Sequence, residues 1–161
     1  MEIYLLRHGI AADAKPGEPD AGRALTPEGK QKLKNVLSRA RAAKVVPDLI
    51  LTSPLRRAAE TARIAGEVLG YAGEIVQTPA LAPSSAPENV WEEILRRPAG
   101  RVLLAGHEPL FGEFLSWMLN SPYLCVNFRK GALARVDAEP TPAHPRGVLQ
   151  WLITARLAGG K

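Results

Sequence analysis

Two histidines and several arginines stand where phosphorus chemistry is possible. Arg7, His8 and Gly9 close the apolar run EIYLLRHG, Arg56 and Arg57 lie in TSPLRRAAETA, and His107 follows the apolar RVLLAG within AGHEP. Arginine offers a planar fork of donors that matches phosphate oxygens. A neutral imidazole can attack phosphorus and carry the phosphoryl group covalently; a second imidazole, kept protonated beside it, can stabilise charge and move protons. That chemistry needs no metal, and three histidines far apart in sequence with one lone cysteine do not suggest a metal site. Singly, each residue has an ordinary explanation: a strand-end histidine is more often structural, and Arg56 can pair with Glu60 one helical turn on. Site or coincidence depends on whether the fold brings them together.

The elements that must do so alternate along the chain. EIYLLR reads as a first strand, and DLILTS, residues 48–53, as a second, apolar enough to be buried on both faces. Between them a helix is expected from Thr26 to Ala43, with Thr26 as N-cap, Pro27 at the first helical position, and Leu33, Val36, Leu37 and Ala40 on one face. From Pro54 the stripe Leu55, Ala58, Ala62, Ala65, Leu69 predicts a second helix, stopped by Gly70. A short EIVQ strand, the loop PALAPSSAPEN and a modest helix ENVWEEILRR follow. RVLLAG, residues 101–106, is a third strongly apolar strand, after which Leu110, Phe111, Phe114, Leu115 and Met118 mark a buried helical face. ALARVDA and VLQWLITA, joined by the proline-rich EPTPAHPRG, read as an antiparallel pair. Alternation of this kind implies an α/β layer architecture with a largely parallel central sheet. In such sheets ligands bind outside the carboxyl ends of the strands, which is where all three suggestive segments fall.

Composition bounds the answer. A chain of 161 residues, 46% hydrophobic and 23% charged, matches one ordinary globular domain over residues 1–161. Its net charge of +5 favours anionic ligands without selecting nucleic acid over phosphate esters. The cations are scattered: Lys30, Lys32, Lys34, Arg39 and Arg41 in one segment, then Arg56-Arg57, Arg96-Arg97 and Arg129-Lys130. Without interleaved aromatics or a basic arm, they read as solvated faces, and no nucleic-acid partner is expected. One cysteine excludes an intrachain disulfide, and neither a leader nor a membrane-spanning run is evident, so a cytoplasmic protein with no membrane partner is expected.

Arg7-His8-Gly9 after a first strand, Ser53-x-x-x-Arg57-Ala58-x-x-Thr61 at a helix start, and Gly106-His107 after a late strand together resemble the histidine phosphatase superfamily, also called phosphoglycerate mutase-like. LTPEG at 25–29, TSPLRRAAETA, GHEPL and KGALARV make SixA-type phosphohistidine phosphatases the nearest resemblance. The resemblance implies a three-layer α/β/α sandwich with a mostly parallel central sheet and a C-terminal antiparallel strand pair. It also implies that His8 is the phosphorylated nucleophile, that Arg7 and Arg57 clamp phosphate oxygens, and that His107 completes the pocket. Arg56 does not match the family's arginine and is left a surface role; Ser53 and Thr61 match without an assigned role.

Larger members of that superfamily carry a hydroxyl or amide side chain soon after the first motif and a glutamate acid in an insertion after the second helix. Here the first place holds Ile10-Ala11-Ala12 and the second only ALAPSSAPEN; Glu88 and Glu108 are the nearest candidate acids. The absence suits a phosphohistidine substrate. An alkoxide leaving group needs protonation, whereas an imidazole leaves neutral when its other nitrogen already carries a proton. The expected substrate is therefore a phosphohistidine-bearing domain of a signalling protein, with a small phosphorylated metabolite as the alternative and a non-catalytic phosphate-binding module behind both. A cysteine phosphatase would need a longer phosphate-cradling loop than the three residues between Cys125 and Arg129, and Cys125 in its apolar run is expected to be a buried thiol. Gly159-Gly160-Lys161, without a following helix, is a tail.

Overall fold

The computed structural model describes residues 1–159; Gly160 and Lys161, part of the tail read from the sequence, lie outside the described residues. The elements are β1 (Glu2–Arg7), α1 (Pro27–Ala42), β2 (Leu49–Thr52), α2 (Arg56–Leu69), β3 (Ile75–Gln77), α3 (Pro87–Leu95), β4 (Arg101–Gly106), α4 (Leu110–Met118), β5 (Leu133–Ala138) and β6 (Gly147–Ile153). Short 3-10 turns cover Asp20–Gly22 and Pro79–Leu81. The expected elements are all present, with ends displaced by one or two residues; Leu81, expected in a loop, is buried in the second turn.

The six strands form one sheet in the order β3-β2-β4-β1-β5-β6. The first four are parallel, and β5 pairs antiparallel with both β1 and β6. Alternating strand residues divide the core. Ile3, Leu5, Val102, Leu104 and Val136 face α3 and α4, whereas Tyr4, Leu6, Ile50, Leu103 and Leu133 face α1 and α2. This is the three-layer α/β/α sandwich, and it explains why β1 carries an unbroken apolar run: both its faces are covered.

Local chemistry sets the helix ends. Thr26 Oγ1 accepts from the Gly29 amide at 3.0 Å, the N-cap anticipated from the sequence. Gly70 closes α2 in the left-handed region at φ 73°, which a glycine adopts without steric cost. Gly29 has a different reason. A Cβ there would lie 2.3 Å from the Ile10 carbonyl oxygen, so α1 packs backbone to backbone against the segment leaving β1. Gly29→Ala is therefore expected to cost about 1–3 kcal/mol, read as a lowered urea midpoint, and to loosen the loop that carries His8.

Candidate active site

The sheet order places β4 between β2 and β1, so three neighbouring strand ends deliver Ser53, His107 and His8 to one edge. Register fixes their depth: Arg7 pairs with Gly106 and Thr52 with Ala105. Main-chain bonds continue the ladder past the strands, from the His8 amide to the Gly106 carbonyl at 2.9 Å and from the Ser53 amide to the Ala105 carbonyl at 3.0 Å. His8 and His107 consequently face each other with ring centroids 5.1 Å apart and planes inclined by 55°. Both are buried.

Hydrogen bonds define which ring nitrogens are available. His8 Nδ1 lies 2.8 Å from the Gly9 carbonyl oxygen. A carbonyl only accepts, so Nδ1 carries the proton and Nε2 keeps its lone pair. His107 Nε2 lies 2.8 Å from Ser53 Oγ, which also accepts from the Leu55 amide at 3.2 Å. Ser53 is fully buried, and His107 Nε2 is the acceptor its hydroxyl hydrogen meets among the described residues. His107 thus accepts at Nε2 and carries its proton on Nδ1, which is buried without a partner among the described residues.

The arginines are set by their own contacts. Arg57, 6% exposed, donates from Nη1 to the Asp20 carbonyl and from Nη2 to Asp20 Oδ2, both at 3.1 Å. Arg7 Nη1 donates to the Phe128 carbonyl at 2.7 Å. In each guanidinium the Nε donor is buried and unpartnered among the described residues; Arg97 Nε, beside Glu93, is the other such atom. A buried donor without a partner carries a desolvation cost, and three such donors at the site, Arg7 Nε, Arg57 Nε and His107 Nδ1, favour an anion with several acceptor oxygens.

Thr61 links two parts of the site. Its hydroxyl donates to the Arg57 carbonyl at 2.7 Å and accepts from the Gly9 amide at 3.2 Å, tying the loop after β1 to the first turn of α2. Arg56 points away and pairs with Glu60 at 3.0 Å, the surface role expected for it. Of the two candidate acids, Glu108 holds the Gly112 amide at 2.8 Å, and burial raises its pKa. Glu88 is exposed in the first turn of α3. Neither makes a hydrogen bond to the histidines. Cys125 is exposed, not buried as its apolar neighbours suggested, because the segment from Ser121 to Asn127 runs over the surface outside any helix or strand.

Burial and the two nearby arginines push the His8 pKa down to about 4, and burial with His8 and Arg57 pushes His107 down to about 3. Both imidazoles are therefore neutral at pH 7, a change from the protonated second imidazole expected of the sequence. A dianionic phosphoryl group between them works in the opposite direction. Among the described residues no cluster of three metal-ligating side chains occurs, and no helix is long and apolar enough to cross a membrane.

An α/β/α sandwich with this strand order, and a histidine pair flanked by two arginines at its parallel strand ends, defines the phosphoglycerate mutase-like class. The model of the histidine phosphatase superfamily (branch 1) matches residues 3–85. An uncharacterised protein of Picosynechococcus is 38% identical over 116 residues, 71% of this chain and 70% of its own. The structure is similar to that of a SixA protein from Agrobacterium tumefaciens, at 26% identity and TM-score 0.81 over 95% of this chain and 97% of that one. It is also similar to the protein histidine phosphatase SixA complexed with tungstate, at 25% identity and TM-score 0.85 over 97% and 98% of the two chains. The chain belongs to the histidine phosphatase superfamily. Within it, its structure is SixA-like.

Proposed function

We propose that this protein, as one catalytic domain over residues 1–161, removes the phosphoryl group from phosphohistidine on a signalling protein through a covalent phospho-His8 intermediate. The observation that carries the reading is the pairing of a free His8 Nε2 lone pair with unpartnered donors from His107, Arg7 and Arg57. A tetrahedral oxyanion suits such a donor set, and tungstate, held by the similar SixA structure, is one.

In the first step His8 Nε2 attacks phosphorus and the phosphorus–nitrogen bond of the substrate breaks. The departing imidazole leaves neutral when its second nitrogen is protonated. The Arg7 and Arg57 guanidiniums and His107 Nδ1–H stabilise the oxygens as charge shifts onto them. Phospho-His8 then keeps its proton on Nδ1, held by the Gly9 carbonyl. In the second step water attacks phosphorus and His8 departs as a neutral imidazole. Both water protons leave on the phosphate as the dihydrogen form. The same hydrogen bond thus serves both halves of the cycle.

Among the described residues no carboxylic acid is hydrogen-bonded at the imidazole pair, where a leaving alkoxide would need one. That favours phosphohistidine over alkyl phosphates, with activated aryl esters in between. A small phosphorylated metabolite is the second reading. The test compares phosphate release from a phosphohistidine-bearing protein domain with release from a panel of metabolite phosphates, with and without chelator. Release from the domain at an unchanged rate in chelator is expected; release from metabolites alone would contradict the reading.

The depressed histidine pKa values make a pH prediction. The nucleophile is competent when neutral, so kcat/KM on an aryl phosphate, corrected for substrate ionisation, stays level down to about pH 5 and falls through about pH 4. Stability moves in the same direction. The unfolded imidazoles take up protons below about 6.5 while the folded ones resist until about 4 and 3, so unfolding becomes easier as pH drops across that window. Urea titrations at pH 7 and 4.5 measure it.

A further inference from the structure

The cations that look scattered along the sequence converge in the structure. A groove of about 530 Å³ is lined by Arg7, Lys32, Arg129, Lys130 and Arg156, and no acidic or aromatic side chain lines it. Arg7 stands beside His8 at the end of β1, so the groove opens from the catalytic edge. Its floor is half-buried, whereas Arg129, Lys130 and Arg156 stand exposed on its rim. Lys32 is paired with Glu28 at 2.6 Å. The three rim cations have no ion-pair partner among the described residues.

We propose that this groove seats a carboxylate-rich surface of the phosphoprotein substrate beside its phosphorylated histidine. Like charges held together on a rim repel one another, and an anionic partner relieves that repulsion while the cleft focuses the field toward the catalytic edge. Exposed cations spaced along a rim suit carboxylates spread across a protein surface; a compact second phosphate would be held better by fixed, buried forks. Single-stranded nucleic acid would call for stacking side chains, which the lining lacks. The inference rests on the phosphohistidine reading and names the kind of protein surface that reading requires.

The test uses the full chain and the double variant Arg129→Gln/Arg156→Gln, with Arg41→Gln/Arg63→Gln as a control at exposed positions outside the groove. On a phosphohistidine domain with an acidic surface next to its histidine, the groove variant is expected to raise KM about five- to tenfold at unchanged kcat. Its kcat/KM on a small aryl phosphate stays at the wild-type value. In a second arm, poly-L-glutamate at low salt inhibits aryl phosphate hydrolysis by wild type and control, and several-fold less well by the groove variant. Equal inhibition of groove variant and wild type overturns the groove. Stronger inhibition by a single-stranded RNA of equal charge overturns the carboxylate assignment. A wild type that loses poly-L-glutamate inhibition on groove substitution, yet fails to dephosphorylate any such domain, overturns the phosphohistidine reading beneath it.

Discussion

Replacing His8 with alanine is expected to lower kcat by at least ~10⁴-fold on every phosphorylated substrate, with folding intact. The size follows from the role. In the proposed mechanism His8 Nε2 is the atom that forms the bond to phosphorus, and its truncation leaves the first step without a positioned nucleophile among the described residues. The nearest carboxylates are otherwise engaged, Asp20 by Arg57 and Glu108 by the Gly112 amide. The alanine variant retains Arg7, Arg57 and His107, so it should still bind substrate. Equilibrium binding within a few-fold of wild type, alongside lost turnover, separates a missing nucleophile from a collapsed pocket.

His107→Ala is expected to cost about 10²–10³-fold in kcat, with a smaller change in KM. In the proposed mechanism this side chain offers one Nδ1–H donor that gains most when negative charge grows on the transferring oxygens. Its tautomer is imposed by Ser53, whose buried hydroxyl donates to Nε2. Ser53→Ala therefore tests the assignment independently: it leaves the imidazole in place but frees the tautomer, and a loss of about tenfold in kcat is expected. Comparison of the single variants with the double variant His107→Ala/Ser53→Ala settles whether the serine acts through the histidine. If it does, the double variant is no slower than His107→Ala.

Much of this site was legible before the fold was known, for a physical reason. β1 and β4 are buried on both faces, so their sequences are continuous apolar runs, and a polar pair at the end of such a run is conspicuous. Parallel sheets then place those ends on one edge. Residues whose part depends on distant contacts were not legible. Asp20 lies in a short 3-10 turn with no periodicity around it, and only the folded chain brings it to Arg57. Ser53 and Thr61 stood in the matching motif, but their hydroxyl bonds to His107 and Gly9 follow from sheet register and helix packing. Cys125 is exposed despite its apolar sequence neighbours, because an apolar run outside any helix or strand need not face the core: Tyr123, two residues before it, is 94% exposed. The basic groove was hidden most completely, since Lys32, Arg129 and Arg156 come from α1, the turn before β5 and the segment after β6.

The covalent intermediate is the centre of the account, and trapping it is the most direct measurement. Wild-type protein mixed with a phosphorus-labelled phosphohistidine domain is quenched in alkali within milliseconds, digested and mapped by mass spectrometry. The expected result is label on His8 at Nε2, stable in alkali and lost in acid, accumulating further in His107→Ala if that variant slows the second step more than the first. Label on another residue, or rapid phosphate release with no protein-bound label under conditions that preserve phosphohistidine and with full turnover by His8→Ala, would contradict it.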